Sequence, residues 1–443
     1  MYNKEFKLIF DYAQNKVDDI EIYLSADTSF SVRIHEQNVE AFNYADSKGI
    51  GIRIIKNGKV GYSYTEEFDE KTFKMIVDEA LENSKFIDSN KMISLEKYPD
   101  IKEKLDVYSE DLDKVTVDEK VQFAKDLERY AKDYDKRIVN VPYAVFGDGK
   151  AYNRIANSKG LDKEDVHNFA YAYTGILASE GNDKRMGMDF IISRDFKKFN
   201  AHELAAKSCK KGLDLLNGKA IKSGKYAVVF DNEMMPTLLS TFSSIFSAKS
   251  VQEGKSLLKG KLNKIIANEK VTIIDDGLYP GGFSTSAFDS EGFPSQKTVL
   301  VNKGKLLTFL HNTETAKNDQ VSSTGNGSRG YKTSLTVAPT NFYLEPGNEK
   351  EDNLFKKYDQ VIEIVSLQGM HSGANTVSGD FSLSAEGFLY DNGKRKHSLK
   401  PFTISGNILQ LLHDVEAIAD NFKFDMSSFG SASVLVRELV VSG

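Results

Sequence analysis

A chain of 443 residues with 40% hydrophobic and 28% charged side chains has the make-up of an ordinary globular protein, long enough for two or three domains with substantial cores. Its formal net charge of −6 excludes a general nucleic-acid surface, which needs clustered positive charge; runs such as Lys394-Arg395-Lys396 are short and read as solvated turns. The lone cysteine, Cys209, excludes an intramolecular disulfide, and no stretch reaches signal-peptide or membrane-span length, so the expected location is cytoplasmic with no membrane contact.

In chain order, Lys4–Gln14 places Phe6, Ile9, Phe10 and Ala13 at helical spacing. Strand patterns follow at Ile20–Ser25, Ser29–His35, Val39–Tyr44, Ile50–Ile55 and Lys59–Tyr64, the last two flanking Asn57-Gly58, whose tolerance of positive φ signals a tight hairpin. Asp69–Lys85 reads as a helix packing one face on that sheet, residues 86–115 as a polar connector containing Pro99, and Thr116–Asp133 as a helix opened by the capping box Thr116-Val117-Asp118-Glu119. Strand signals resume at Ile138–Phe146, Ala151–Ser158, Asn168–Ala178 and Met186–Ser193, and a helix near Phe199–Asn217 holds Cys209 as a structural thiol. Gly218–Gly224 is a plausible boundary. Beyond it come a buried strand at Tyr226–Phe230, a helix from Asn232 to Lys249 with an apolar stripe, and strand patterns at Val271–Ile274, Lys297–Val301, Leu306–Leu310, Asn341–Leu344, Gln360–Leu367, Gly379–Tyr390 and Val434–Val441, with a helix around Asn407–Ala419. The expected fold class is α+β in two domains: a mixed α+β domain over 1–217 and a β-rich, barrel-like or curved-sheet domain with covering helices over 218–443.

Val271–Gly330 is the densest stretch. Turn dipeptides at Asp276-Gly277, Pro280-Gly281, Glu291-Gly292 and Lys303-Gly304 alternate with Asp275, Asp276, Asp289, Glu291, His311 and Arg329, a composition suited to a surface loop system that carries function. The motifs IIDDG (Ile273–Gly277), FDSEGFPSQKTVLVNKGKLL (Phe288–Leu307) and STGNGSR (Ser323–Arg329), with GIGIRII (Gly49–Ile55), SGDFSLSAEGF (Ser378–Phe388) and the closing LVVSG (Leu439–Gly443), resemble the TldD/TldE (PmbA) family, labelled modulators of DNA gyrase and read as metallopeptidase subunits.

The resemblance implies a two-subunit peptidase for unfolded or small peptides, in which the TldD-type subunit holds zinc through HExxxH on the helix after the first strand of its second domain, with a further ligand near the C-terminus. Zinc peptidase chemistry needs such histidines and a glutamate base. By motif order the matching segment here is Ser240-Thr241-Phe242-Ser243-Ser244-Ile245, so Ser240, Thr241 and Ile245 stand at the ligand and base positions, and nothing near Ser427–Ser433 offers the remaining ligand. His202-Glu203 is a His-Glu pair on a helical pattern, but Lys207 stands where a second histidine is needed. The expectation is a TldE/PmbA-type subunit with no catalytic or metal-binding residue of its own, zinc residing in an HExxxH-bearing partner of a heterodimer; a homodimer is the other assembly considered. Asp289, Glu291, Gly292, His311, Asn326 and Arg329 are the candidate channel or peptide-binding residues. There is no G-x-S-x-G elbow, and Thr324–Arg329 lacks the lysine and spacing of a phosphate loop. Two other classes stay open: a self-associating peptide-binding or scaffold protein without a protease partner, and an autonomous hydrolase using His311 and the Asp275–Glu291 carboxylates.

Overall fold

Six antiparallel strands form the first half: β1 (Asp19–His35), β2 (Asn38–Lys56), β3 (Lys59–Thr65), β4 (Ile138–Asn157), β5 (Asp162–Glu180) and β6 (Asp183–Ser193), in the order β3-β2-β1-β4-β5-β6. The computed structural model describes residues 1–86, 95–101 and 105–443; the connector expected over 86–115 lies partly outside the described residues. The β2–β3 turn is Asn57-Gly58, with φ of 52° and 73°, as the dipeptide predicts.

Alternation along β1 decides what each face does. Ile22, Leu24, Phe30, Val32 and Ile34 share one parity and project to one face, because successive side chains in a strand point oppositely. Helices Asn3–Ala13 and Glu70–Ser84 cover one end of that face, packing Phe6, Ile9, Phe73, Ile76 and Val77 on Ile22 and Leu24. Helices Val117–Tyr134 and Ala201–Asp214 cover the other end, packing Phe123, Leu127, Leu204 and Cys209 on Phe30, Val32 and Ile34. Thr116 and Glu119 form the expected reciprocal box, and Asp69 caps its helix by accepting from Thr72 N. Glu21 and Tyr23 have the opposite parity and face the second half.

The second half contains a closed barrel of five strands, Gly224–Phe230, Gln360–Gln368, Asp380–Asp391, Phe402–Asn407 and Val434–Ser442, the ring closing where Gln360–Gln368 pairs with Asp380–Asp391. A second sheet includes Ile273–Asp276, Lys297–Asn302, Phe342–Leu344 and Phe429–Ser431. One core joins the two, with Val228, Phe230, Leu238, Phe242, Ile273, Phe342, Ile364, Ile404 and Leu435 buried in it. The α+β class with a barrel-like C-terminal half is therefore correct.

Several elements differ from the sequence reading. The strand pairs expected within 20–35, 39–55 and 138–158 are single long strands, because β1 is paired on both sides throughout its polar middle: Asp27 stands opposite Ser47 on β2 and Ala151 on β4. The helix expected over Asn232–Lys249 is Met234–Phe242, a 3₁₀ turn at Ser243–Phe246 and a short helix at Ala248–Gln252. Ser243 Oγ turns back onto Ser240 O, and Ser247 is drawn into a bridge with Leu310, which also ends the strand expected over Leu306–Leu310 at Leu306. The helix expected over Asn407–Ala419 stops at His413, since Val415–Ile418 pairs with the last barrel strand.

Candidate functional site

The loops of residues 277–341 lie against the outer face of the first sheet. Two glycines of β2 make the seat. A Cβ on Gly51 would fall 2.2 Å from the Tyr331 carbonyl oxygen, and one on Gly49 would fall within the Tyr331 ring, so the chain at Tyr331 closes on the sheet only over bare backbone.

Beside that seat sits a buried ionic network. Arg53 Nη2 donates to Glu21 Oε2 at 3.1 Å and its Nη1 donates to Glu291 Oε1 at 3.3 Å; Arg329 Nη2 donates to Glu21 Oε1 at 2.5 Å. Thr313 gives its backbone N–H and its hydroxyl to Glu291. All four charged side chains are buried. Burial weakens the Arg53 guanidinium's hold on its proton, but Glu21 and Glu291 outweigh it and the charge is held more firmly than usual. Asp289 Oδ1 accepts from the N–H groups of Glu291 and Phe293, and Oδ2 from Gly327 N at 2.7 Å. Burial, then the neighbouring Glu291, push the Asp289 carboxyl above its ordinary range against the pull of those three donors.

Next to the network is a polar cavity of about 390 Å³. The strands supply Tyr23, Asn153, Asp165 and His167; the loops supply Ser284, Ser286, Asp289, Asn326 and Thr340. Asn326 Nδ2 donates to Asp275 Oδ2 at 2.7 Å, and Thr340 gives Asp275 both its N–H and its hydroxyl. Burial pushes the Asp275 carboxyl up to about 6 in spite of these donors. Ser286 Oγ donates to Asp165 Oδ2 at 3.2 Å, and His167 Nδ1 lies 3.6 Å from the same oxygen. The carboxylate thus sits between hydroxyl and imidazole, the wrong order for activating a serine, since the base must touch the nucleophile.

Of the residues singled out in the sequence, Asp289 and Asn326 line this cavity, while Glu291 and Arg329 belong to the network. Gly292 makes the turn at φ 76° against Leu161. His311 lies beneath: its carbonyl oxygen accepts from Thr324 N and Asn326 N, fixing the 323–326 turn. Burial lowers the His311 pKa, so its imidazole is neutral, and Nδ1 has no hydrogen-bond partner among the described residues. Sequence reasoning did not find Tyr23, Asn153, Asp165 and His167. Their only signal is the parity of Glu21 and Tyr23 against the apolar residues of β1, which acquires meaning once something covers that face.

The segment matching the metal helix does not fit a zinc ion. Thr241 Oγ1 donates to Thr237 O at 2.8 Å, while Ile245 has no donor atom and is 1% exposed within the core. His202 packs edge-on against Tyr130, and Glu203 pairs with Lys207 at 2.7 Å. Among the described residues, no three His, Cys, Asp or Glu side chains converge as ligands.

Comparison with known proteins agrees along the chain. Three models match in succession: PmbA/TldA metallopeptidase domain 1 over residues 20–84, the central domain over 110–216 and the C-terminal domain over 223–443. An uncharacterized protein of Methanocaldococcus jannaschii is 32% identical over 408 residues, covering 91% of this chain and 92% of its own. The crystal structure of a Thermotoga maritima protein described as a modulator of a DNA gyrase superposes with a TM-score of 0.93 at 30% identity, over 100% of both chains. TldE from Thermococcus kodakarensis superposes with a TM-score of 0.90 at 22% identity, over 99% of this chain and 100% of that one, a likeness of fold. Matched by family domains through both halves, this chain belongs to the PmbA/TldD metallopeptidase family.

Proposed function

We propose that this chain is the non-metal-binding, TldE/PmbA-like subunit of a TldD/TldE-type metallopeptidase acting on unfolded or small peptides, with the zinc held by an HExxxH-bearing partner. The reading is supported by the chemistry of one segment: Ser240, Thr241 and Ile245, which motif order sets against the ligand and base positions, offer no zinc-binding set, and Ile245 is built into the core of a chain that matches the family's C-terminal domain. Such a chain contributes walls, closure and main-chain contacts to a substrate chamber, and the polar cavity beside Asp289 and Asn326 is one candidate wall. Assembly with another subunit is supported by the first half of β2. β3 pairs only with Ile50–Lys56, so among the described residues Asn38–Lys48 is an open edge, and Val39, Phe42 and Tyr44 are exposed on it.

The test is hydrolysis of an unstructured peptide by the chain alone and by the chain mixed with an HExxxH-bearing paralogue, with zinc measured in each. Activity and zinc confined to the mixture, and above those of the paralogue alone, are expected. Activity with stoichiometric metal in the isolated chain overturns the proposal.

A further inference from the structure

A second cavity, about 610 Å³, lies between the halves and shares no lining residue with the first. It sits where two strand edges face each other. β6 pairs with β5 on one side, and among the described residues no strand pairs with the other. Phe190 N–H turns away from β5 to donate to Asp189 Oδ1 at 2.8 Å. Backbone groups of alternate residues in an antiparallel strand point the same way, so Met186 and Met188 also direct their N–H and C=O away from β5. On the facing wall, the barrel strand Gln360–Gln368 pairs with Gly224–Phe230 only through Val361–Ile364, leaving Val365–Gln368 with no strand on that side among the described residues where they line the cavity.

The side chains around these edges are apolar and adaptable. Met186 and Met188 are 40% and 47% exposed, and Phe190, Met234 and Phe388 complete the apolar lining. Unbranched, polarizable methionines accommodate varied partners better than branched side chains do. Four of the charged lining residues pair with one another. Lys211 pairs with Glu233 at 2.8 Å and Asp189 at 3.5 Å, and Lys423 pairs with the same two at 2.6 and 3.8 Å. Of the other charged lining residues, Lys207 pairs with Glu203, Asp214 with Arg395 and Glu386 with Arg185, while Lys210 is exposed at the rim. What the groove complements is uncharged: main-chain donors and acceptors along its edges and apolar side chains over its floor.

We propose that this groove docks an extended peptide segment with apolar side chains, which adds a strand to the free edge of β6 and rests its side chains on Met186 and Met188. Main-chain pairing makes the recognition tolerant of sequence, and the methionine floor sets a preference for apolar over acidic segments. The choice of a peptide as occupant rests on the family reading above. The groove itself belongs to the isolated chain, so it is tested without any partner or hydrolysis.

The probe is a fluorescein-labelled octapeptide of alternating leucine and threonine, titrated with the purified chain and followed by anisotropy. Saturable binding is expected. Met188→Asp should weaken it at least about tenfold, since it sets a charge on the apolar floor. The same peptide N-methylated on alternate amides should lose a similar factor, because it can no longer donate to the strand edge. Met188 is on the surface, so Met188→Asp should leave thermal unfolding unchanged; if it does not, Met186→Lys and the N-methylated peptide carry the test. Absence of saturable binding, equal binding of the N-methylated peptide, or equal binding by the folded variant overturns the proposal. So does loss of binding in Phe42→Asp with Met188→Asp unaffected, which would put the peptide on the β2 edge. Failure of the mixed peptidase assay with this binding intact would sink the subunit reading and leave the groove standing.

Discussion

Glu21→Gln is the sharpest test of how the two halves are joined. Glu21 is 1% exposed and is, among the described residues, the only carboxylate paired with Arg329, at 2.5 Å, while it shares Arg53 with Glu291. Glutamine preserves the volume and one acceptor but removes the charge. Arg53 keeps Glu291; Arg329 keeps a neutral acceptor and the Tyr23 ring, whose centroid is 5.0 Å from its guanidinium carbon. Leaving a buried charge without its partner costs about 3–5 kcal/mol, and the surviving neutral hydrogen bond offsets about 1, so a loss of about 2–4 kcal/mol is expected. Urea unfolding followed by circular dichroism measures it, tryptophan being absent from the chain. Because Glu21 is on the first sheet and Arg329 on the loops of the second half, limited proteolysis near Arg329 should accelerate as well. The comparison is Glu40→Gln in the exposed Arg33–Glu40 pair, where less than about 1 kcal/mol is expected. Adding Arg329→Met to Glu21→Gln removes the stranded charge and should recover part of the loss, a coupling that independent sites do not show. A Glu21→Gln effect no larger than that of Glu40→Gln, with no change in proteolysis, would refute the network as a joint.

Three further outcomes follow from buried groups. Asp275 has its carboxyl pushed up to about 6 from 3.8, so between these values the folded chain keeps a proton that the unfolded chain releases. Through this group stability rises as pH falls from 7 toward 4 and the penalty is complete above about 6; unfolding midpoints at several pH values should show the wild type gaining on Asp275→Asn in that window, by at most about 3 kcal/mol at 1.36 kcal/mol per unit, and a parallel pair of curves would contradict it. Burial pushes the Cys209 thiol up to about 12, and its side chain is sealed in the core, so Ellman's reagent should find no thiol in the native chain and one after denaturation; rapid native labelling would contradict its place. Gly187→Ala sets a Cβ 2.2 Å from Ser208 O and 2.4 Å from Gly212 N, where backbone cannot yield cheaply, and should lose about 1–3 kcal/mol in thermal or urea unfolding; a neutral result would mean that β6 and its helix separate readily.

What the sequence disclosed about the fold was its local chemistry. Asn57-Gly58 and the Thr116–Glu119 box each act within four residues, and each stands where expected. Strand continuity was not legible, because it is decided by neighbours far along the chain. The break expected between Phe146 and Ala151 is absent: Gly147, Asp148 and Gly149 lie in mid-strand, paired with Ser31, Phe30 and Ser29 on β1. Gly147 is there for space, since a Cβ would fall 2.4 Å from the Tyr171 ring. The broken helix after Met234 left a weak trace in Ser243, Ser244 and Ser247, hydroxyls that compete with helical hydrogen bonds, but the bridge to Leu310 that completes the break is a tertiary contact.

The site was legible in part for the same reason. Asp289 and Glu291 stand out as carboxylates among turns, but their partners lie elsewhere: Arg53 is 238 residues before Glu291, and Glu21 is 308 before Arg329. These partners explain what the family motifs do in this chain. Gly49–Ile55 seats Tyr331 and supplies Arg53; Phe288–Leu307 supplies Asp289 and Glu291; Ser323–Arg329 supplies Asn326 and Arg329. The motifs that reveal kinship therefore assemble the joint between the halves, whereas the segment matching the metal helix carries Ser240, Thr241 and Ile245. Kinship and chemistry are written in different parts of the sequence. That separation is why a chain can match the family through both halves while the segment aligned by motif order with the metal helix carries no zinc-ligating side chain.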